Sequence, residues 1–330
     1  MSSGYVSLWG RWSRLRGFLP EDLCELARRT HAVKRFRKIR TGEDLLLASL
    51  LYALPGDTFH SASQALESVS GVNISATGLF LRFEGCEEFL KEVFAHLLKH
   101  ARCEGAYLAG RRVVIVDATM LAGPGASHTS QILHVRYDLA SGLPENVEIT
   151  DNRGGETFKR HSFKPGSLVL ADRGYAHPKG IIQVLESGSS VLVRFEFESM
   201  SLSTPDGQRI TPAIARNWME NKERIELDVR LKGWDGPLRV FGSRNDKNEI
   251  VWLLTDVAEQ GLSLQEARAI YAVRWQIELF FKRLKSLLDL DELPSRDGPS
   301  ARPWIWAKLI LAALTVLSTD ERFSPWGCPV

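Results

Sequence analysis

Three acidic residues occupy positions where the surrounding pattern suggests chemistry. Asp117 and Asp172 each follow an apolar, β-branched run, and Glu278 lies in a row of basic residues. Three carboxylates without a Cys or His ligand suit hard cations such as Mg²⁺ or Mn²⁺. Two such ions about 3.5–4 Å apart can activate an attacking oxygen and stabilise the leaving oxygen in a phosphoryl displacement. The pattern therefore favours metal-dependent phosphodiester chemistry, provided that the fold brings the three acids together.

Glu278 lies on a predicted long helix. The capping-box pair Ser263 and Glu266 predicts its start, and residues 264–292 contain neither Gly nor Pro. At about 100° per residue, one face groups Glu278 with basic and phenolic side chains, and an apolar stripe lies beside it. The polar face comprises Tyr271, Arg274, Glu278, Lys282 and Lys285, and the stripe comprises Ile270, Ile277, Phe281, Leu284 and Leu288. A carboxylate in such a row suits a metal ion that also touches phosphates, with a solvated helix surface as the alternative.

The two aspartates are predicted to lie at strand ends. Arg111–Asp117 is read as a buried strand that ends on its acid, and Ser167–Asp172 repeats the pattern. Between and after them we predict a hairpin of strands Ile132–Asp138 and Pro144–Thr150, a helix Pro178–Glu186 and a strand Ser190–Phe195. Either aspartate alone is well explained as a turn cap, where Asp is common. Both at strand ends, together with Glu278, favour a shared site.

Residues 196–261 show a β-rich texture with little helical pattern. Arg224–Leu231 alternates charged and apolar residues, as a half-exposed strand does, and Leu238–Phe241 and Ile250–Leu254 add apolar runs. We read this stretch as a β insertion before the helix of Glu278. A loop Pro294–Pro303 and an apolar helix Trp304–Leu317 follow.

Residues 1–104 read as mostly helical and carry a basic run. The run spans thirteen residues without Asp or Glu and comprises Arg28, Arg29, Lys34, Arg35, Arg37, Lys38 and Arg40. It is either a phosphate-contacting patch or a solvated helix face, and the sequence leaves both interpretations open. The helical region is likewise either a DNA-binding module or a helical cap, since no clear helix-turn-helix pattern decides between them.

Composition excludes little. The 330 residues allow two or three domains, and 44% hydrophobic and 25% charged residues are ordinary for a globular protein. A net charge of +2 does not by itself indicate nucleic acid. Four widely spaced cysteines and the lack of a signal-peptide segment favour a reduced cytoplasmic protein, and the apolar runs are too short to span a bilayer. His96, His100 and Cys103 have helix-compatible spacing, but an incidental helix face explains them better than a partial metal site.

The chain resembles bacterial insertion-sequence DDE transposases, of the IS-four type, whose last acid lies in a Tyr-x2-Arg-x3-Glu-x6-Lys signature. Here the signature is Tyr271, Arg274, Glu278 and Lys285, with every spacing intact. The first acid lies in Val-Ile-Val-Asp117-Ala-Thr-Met and the second in Val-Leu-Ala-Asp172-Arg-Gly-Tyr. The resemblance covers roughly residues 35–293 and is strongest in these three blocks.

The resemblance implies an α/β fold with an RNase H-like core, in which a mixed sheet is flanked by helices, plus a β-rich insertion and an N-terminal helical domain. The implied boundaries are 1–104, 105–195, 196–261, 262–293 and 294–330. It also implies two Mg²⁺ ions, replaceable by Mn²⁺, and a dimer on paired ends of double-stranded DNA carrying the terminal inverted repeats.

Several residues are expected to contact DNA. The expected contacts are Tyr271, Arg274, Trp275, Lys282, Lys285, Arg173, Arg35, Arg37 and Lys38. In relatives, the aromatic residue after the signature Arg stacks on a flipped base, and Trp275 holds that position. Core packing explains Trp275 equally well, and burial in a strand explains Trp252 better than base contact. A domesticated DNA-binding relative and a host nuclease that cuts without joining remain as alternative functions.

Overall fold

The computed structural model describes residues 10, 12–100, 107–108, 110–125, 129–291, 293–295 and 298–318. The chain divides into two compact units. We call the first the helical unit; it comprises Met1–Arg102, Met120–Ile132 and Phe280–Val330. The second, the sheet unit, comprises Cys103–Thr119 and Leu133–Leu279.

The regular elements follow in chain order. The helices of the described residues are α1 (Trp12–Leu15), α2 (Leu23–Arg29), α3 (Gly42–Tyr52), α4 (Phe59–Ser70), α5 (Ala76–Phe83), α6 (Glu87–His100), α7 (Pro178–Glu186), α8 (Pro212–Met219), α9 (Leu264–Ala272), α10 (Trp275–Leu288) and α11 (Ala301–Ser318). The strands are β1 (Tyr107–Leu108), β2 (Arg111–Leu121), β3 (Gln131–Asp138), β4 (Leu143–Asp151), β5 (Ser167–Ala171), β6 (Ser190–Phe195), β7 (Leu202–Ser203), β8 (Arg224–Leu231), β9 (Trp234–Arg244) and β10 (Ile250–Thr255).

Local capping signals set several helix starts. Thr41 and Asp44 form a reciprocal capping box at the start of α3, and Ser263 and Glu266 form another at the start of α9. The predicted start at Ser263 is therefore confirmed. In the helical unit, α11 packs on α6 and α3. By length and composition α11 could cross a membrane, with a mean hydropathy of 1.2, but 67% of it is buried within the protein, as in a core helix.

One sheet contains all the strands described. Its order is β4-β3-β2-β5-β6-β10-β9-β8-β7, and β1 pairs with β2 outside this path. Strands β2, β5 and β6 run parallel, whereas β10 pairs antiparallel with β6 and with β9. Residues 196–261 thus extend the same sheet through β10. That stretch also contains α8, which the sequence analysis missed although Thr211 caps it and Pro212 occupies its first turn.

Strand β2 is longer than predicted. It continues four residues past Asp117 to Leu121, so the prediction that the strand ends on its acid is wrong. The parallel pairing with β5, however, stops at Val116, opposite Ala171. Asp117 therefore follows the last residue paired with β5, although the strand itself goes on. The apolar run marked the end of this parallel pairing rather than the end of the strand.

The predicted continuous helix over residues 264–292 is also wrong, because Val273 and Arg274 separate α9 from α10. Around this break the amide N–H groups bond three residues back: Val273 to Ile270, Arg274 to Tyr271 and Ile277 to Arg274, at 3.0–3.1 Å. Such tight turns within a helical stretch locally change its winding. The break needs neither Gly nor Pro, so the sequence offered no simple signal for it.

Helix α10 ends at Leu288, earlier than predicted. Asp289 adopts a left-handed conformation, with φ of 49°, and the Leu290 N–H donates to the Leu284 carbonyl at 3.1 Å. Many helices end at a residue in the left-handed conformation, and that residue is usually Gly. Asp is one of the few other residues that tolerate it, which explains an ending without Gly. At the other side of the loop, α11 begins at Ala301 rather than Trp304, with Pro303 in its first turn.

Candidate active site

Asp117 and Asp172 lie side by side at one edge of the parallel strands. Each directly follows the last residue pair of β2 and β5, Val116 opposite Ala171. Neighbouring strands are about 4.8 Å apart, so the two side chains start from adjacent positions. The Ala118 N–H donates to Asp117 Oδ1 at 2.8 Å, and the Arg173 N–H donates to Asp172 Oδ1 at 2.7 Å. The sheet register and these two backbone bonds fix both carboxylates.

The charge balance at Asp117 is unfavourable for a bare carboxylate. The pKa of Asp117 is raised to about 6, mainly by burial and to a smaller extent by the neighbouring acids Glu156 and Asp172. The Ala118 N–H and the Arg274 guanidinium act in the opposite direction and lower it. Repulsion among neighbouring acids is relieved when a cation lies between them. Asp117 and Asp172 are therefore neighbouring carboxylates whose mutual repulsion a cation would relieve.

Arg274 connects Asp117, in strand β2, with Glu278, in helix α10. Its Nη1 donates to Asp117 Oδ2 at 3.4 Å, and its Nη2 donates to Glu278 Oε1 at 2.5 Å. The break between α9 and α10 places Arg274 one turn before Glu278, and fully buried Ile277 anchors the adjacent face of α10. Within the sheet unit, Glu278 thus reaches Asp117 through a shared guanidinium.

Tyr271 contacts Asp172, the remaining predicted acid. Its hydroxyl donates to Asp172 Oδ1 at 3.4 Å, and its ring lies 5.8 Å from the Arg274 guanidinium carbon. Burial raises the pKa of Tyr271, and Asp172 raises it further, so the phenol stays protonated and acts as a donor. Tyr271 and Arg274 together link the α9–α10 segment to all three predicted acids.

The other expected DNA contacts are more exposed. Trp275 is 55% exposed and therefore does not pack in the core. Arg173 is exposed with Glu196 at 4.0 Å. In the helical unit, Lys282 is exposed and the Lys285 ammonium donates to the Met120 carbonyl at 3.3 Å.

The basic run of the helical unit is mostly not helical. Helix α2 ends at Arg29, and residues 31–40 form bends and turns, so the solvated-helix interpretation is wrong for most of the run. Arg35, Arg37 and Lys38 are exposed. Arg29 and Arg40, by contrast, form ion pairs with Glu92 and Asp44.

Glu156 belongs to this site although the sequence analysis did not select it. It is half-buried in the connection from β4 to a short turn at Phe158–Arg160. Burial raises the pKa of Glu156, Asp172 raises it further, and His177 lowers it. The sequence signal was weak, since an acid after Gly154 and Gly155 resembles any loop carboxylate.

Two other sequence interpretations concern residues away from the acids. Trp252 is 5% exposed and its ring packs 5.0 Å from that of Phe197, so it is buried in its strand as preferred. His96 and His100 approach each other, with their Nε2 atoms 3.2 Å apart. Cys103 lies outside the described residues.

The donors at the site fit a hard divalent cation in their chemistry. Asp117, Asp172 and Glu278 offer carboxylate oxygens alone, the preferred ligands of Mg²⁺. Over the part of the chain that the structure describes, no three His, Cys, Asp or Glu side chains converge closely enough to hold one ion together. The fit therefore rests on the type of donor and on the coupling between Asp117 and Asp172.

Comparison with known proteins gives one consistent result. Residues 108–314 match the family of transposase DDE domains. The chain is 26% identical to the putative transposase InsL for insertion sequence element IS186A of Escherichia coli. It is 27% identical to the transposase for insertion sequence element IS421 of the same species. Each of these two alignments covers 92% of this chain and 92% of the relative. It is 26% identical to the transposase for IS231F of Bacillus thuringiensis, over 89% of this chain and 76% of the relative.

A solved structure, the piggyBac transposase synaptic complex with hairpin DNA, covers 92% of this chain and 72% of its own, with a TM-score of 0.48 and 12% identity. The family match spans more than half of the chain and includes the three acids at the edge of the sheet and in α10. The chain belongs to the DDE transposase family and is a transposase.

Proposed function

We propose that this transposase cleaves DNA at the ends of its insertion sequence and transfers the freed 3′-OH into target DNA. The observation that carries the proposal is the meeting of Asp117, Asp172 and Glu278 through Arg274 and Tyr271. Water attacks the phosphodiester at the element's end, and the resulting hydroxyl then attacks the opposite strand or the target.

The acids have separate roles in this proposal. Asp117 would hold both of two Mg²⁺ ions, and Asp172 and Glu278 would each hold one of them, with Mn²⁺ able to substitute. When bound, these ions supply positive charge at the attacking and leaving oxygens. Arg274 is placed to orient Asp117 and Glu278, and its fork can also bind a phosphate in two-point fashion. Tyr271 orients Asp172 through its hydroxyl.

The remaining assignments concern fold and partners. We assign the sheet from β2 to β6, with the Glu278 helix, to an RNase H-like core, supported by the two aspartates that directly follow the last paired residues of the parallel strands β2 and β5. We also propose that the chain divides into the five segments 1–104, 105–195, 196–261, 262–293 and 294–330. It would belong to the subgroup of the family that carries the Tyr-Arg-Glu-Lys signature. Terminal inverted repeats bind as double-stranded DNA to a dimer on paired ends, in the cytoplasm at the nucleoid.

Trp275 and a set of basic side chains supply the remaining proposed DNA contacts. Trp275, at 55% exposure, is free to stack on an unpaired base. Arg173, Lys282 and Lys285 contact phosphates near the transposon end. Arg35, Arg37 and Lys38 form a second phosphate-binding region in the helical unit.

The first test is substitution of each acid. Asp117→Asn, Asp172→Asn and Glu278→Gln should each lower cleavage of end-bearing DNA by roughly a thousandfold or more, as expected when residues act as a unit. Binding of the same DNA should stay within a few-fold of wild type. Incubation with the element's own ends and Mg²⁺, resolving nicked, hairpin and joined products, measures both. Full cleavage by any one of these variants contradicts the proposal, and cleavage without joined products favours a nuclease instead.

A further inference from the structure

A fourth acid, Glu156, is held at the active site by a firmly anchored segment. Before it, buried Gly154 leaves room for the Thr150 side chain, which any Cβ at this position would strike. After it, Arg160 donates to the Gly155 carbonyl at 3.1 Å and forms an ion pair with Glu148 at 2.8 Å. These contacts restrain the backbone at Gly154 and Gly155, directly before Glu156.

Aromatic packing also anchors the segment that carries Glu156. Phe158 is fully buried, and its ring lies 5.4 Å from that of Tyr175. Gly180 in α7 gives Phe158 the space that it fills. The segment is therefore fastened to the turn that follows Asp172.

Gly174 shows where the Glu156 carboxylate lies. A Cβ added to Gly174 would collide with Glu156 Oε2. Gly174 lies in the short turn Arg173–Tyr175, and its φ is outside the left-handed region, so the backbone conformation alone does not require glycine. The carboxylate thus rests directly on the turn that begins at Asp172.

Tyr175 provides an independent observation. It is 1% exposed, and its hydroxyl has no hydrogen-bond partner among the residues that the structure describes. Glu156 and Asp117 are the acids that act on this hydroxyl and, after burial, raise its pKa. A buried, unpaired donor beside two carboxylates indicates a polar centre that extends beyond the three predicted acids.

We propose that Glu156 is a positioning residue of this active site. Its carboxylate fixes the Asp172–Tyr175 turn and adds a fourth negative charge that strengthens divalent-cation binding by Asp117 and Asp172. This inference rests on the proposed function of those two aspartates. Glu156 touches neither of the reacting oxygens in this scheme and acts through Asp172.

Cation binding tests the charge of Glu156. Glu156→Gln keeps the shape and removes the charge, so the DNA-free protein should bind Mn²⁺ roughly ten- to a hundredfold more weakly, as loss of a supporting group around a metal site does. Electron paramagnetic resonance of free Mn²⁺ measures the binding, and the Mg²⁺ concentration for half-maximal cleavage should rise in parallel. Glu156→Asp should recover most of the affinity. The control, Glu186→Gln at the exposed end of α7, should leave both values unchanged.

Wild-type Mn²⁺ affinity and Mg²⁺ dependence in Glu156→Gln would overturn the inference. The proposed function would stand in that case if Asp117→Asn is inactive. Full cleavage by Asp117→Asn would instead sink the proposed function itself, whatever Glu156→Gln does.

A double-mutant cycle tests the position of Glu156. Gly174→Ala should weaken Mn²⁺ binding in the wild-type background because the new methyl group displaces the carboxylate, and should weaken it far less in a Glu156→Ala background. Gly155→Ala, where a Cβ meets open space, is the matched control. Equal losses from Gly174→Ala in both backgrounds would show that Glu156 does not occupy this place.

Discussion

At the scale of single residues, Asp117 combines a buried position with the charge that its proposed role as a cation ligand requires. Its side chain is 17% exposed, and burial raises its pKa from the ordinary value of 3.8 to about 6. At a pH between these two values, Asp117 therefore keeps its proton in the folded protein, whereas the unfolded chain has already released it. Ionised Asp117 therefore costs folding free energy when no metal ion lies beside it.

Because ionising buried Asp117 costs folding free energy, we expect Asp117→Asn to change stability in a pH-dependent way. Between pH 4 and 6 the wild-type folded state must lose a proton that the unfolded state has lost already, so its stability falls through this window. The neutral Asn side chain has no proton to lose. The free energy of unfolding of the variant should therefore rise relative to that of wild type, by up to about 3 kcal/mol, as the pH rises from 4 to 7. Urea unfolding in EDTA at several pH values measures the difference. Asp228→Asn, at an exposed position of β8, is the control, and a difference that does not vary with pH would contradict the prediction.

At the scale of elements, the segment from α9 to α10 depends on two local irregularities. Tight turns at Val273 and Arg274 set the guanidinium between Asp117 and Glu278. At the other end, Asp289 closes α10 in a left-handed conformation that costs free energy for a residue with a Cβ. The first irregularity serves the site, whereas the second is a helix ending that glycine would satisfy better.

Asp289→Gly should therefore stabilise the protein by about 0.5–1 kcal/mol, because glycine adopts the left-handed conformation without strain. The midpoint of urea unfolding, with an unchanged slope, measures the gain. Asp291→Gly, two residues further along and exposed, adds chain entropy without relieving strain and should be neutral or destabilising. A loss of stability in Asp289→Gly would show that the Asp side chain contributes more than its conformation costs.

At the scale of the whole molecule, charge distribution matters more than the net charge of +2. In the helical unit Arg35, Arg37 and Lys38 are exposed on a non-helical segment, while Arg29 and Arg40 pair with acids. Exposed cations that gain phosphate partners release counterions from DNA, and each such contact adds to the salt dependence of binding.

Replacement of Arg35, Arg37 and Lys38 by Ala should weaken binding of end-bearing DNA and flatten its salt dependence. The slope of log affinity against log salt should fall by roughly 0.9 for each lost phosphate contact. Fluorescence anisotropy at several salt concentrations measures it. A control triple variant at exposed Lys222, Lys232 and Lys247 removes the same charge from the sheet unit. Equal slopes for the two triple variants would mean that only net charge matters.

Local patterns in the sequence predicted much of this protein. Apolar runs located β2, β5 and β6, and the spacing Tyr-x2-Arg-x3-Glu identified the residues that meet the two aspartates. The capping pair Ser263 and Glu266 marked a helix start because such a cap depends on two residues three positions apart. Such signals are short-range, so the sequence alone determines them.

Only the tertiary structure decided the rest. The continuation of β2 beyond Asp117, the joining of β10 to β6 and the break at Val273–Arg274 depend on pairing and packing between distant parts of the chain. Glu156 is the clearest case, since its approach to Gly174 crosses eighteen positions of sequence without any periodic pattern. A carboxylate becomes part of an active site through the neighbours that folding gives it, and those neighbours are not encoded in its local sequence.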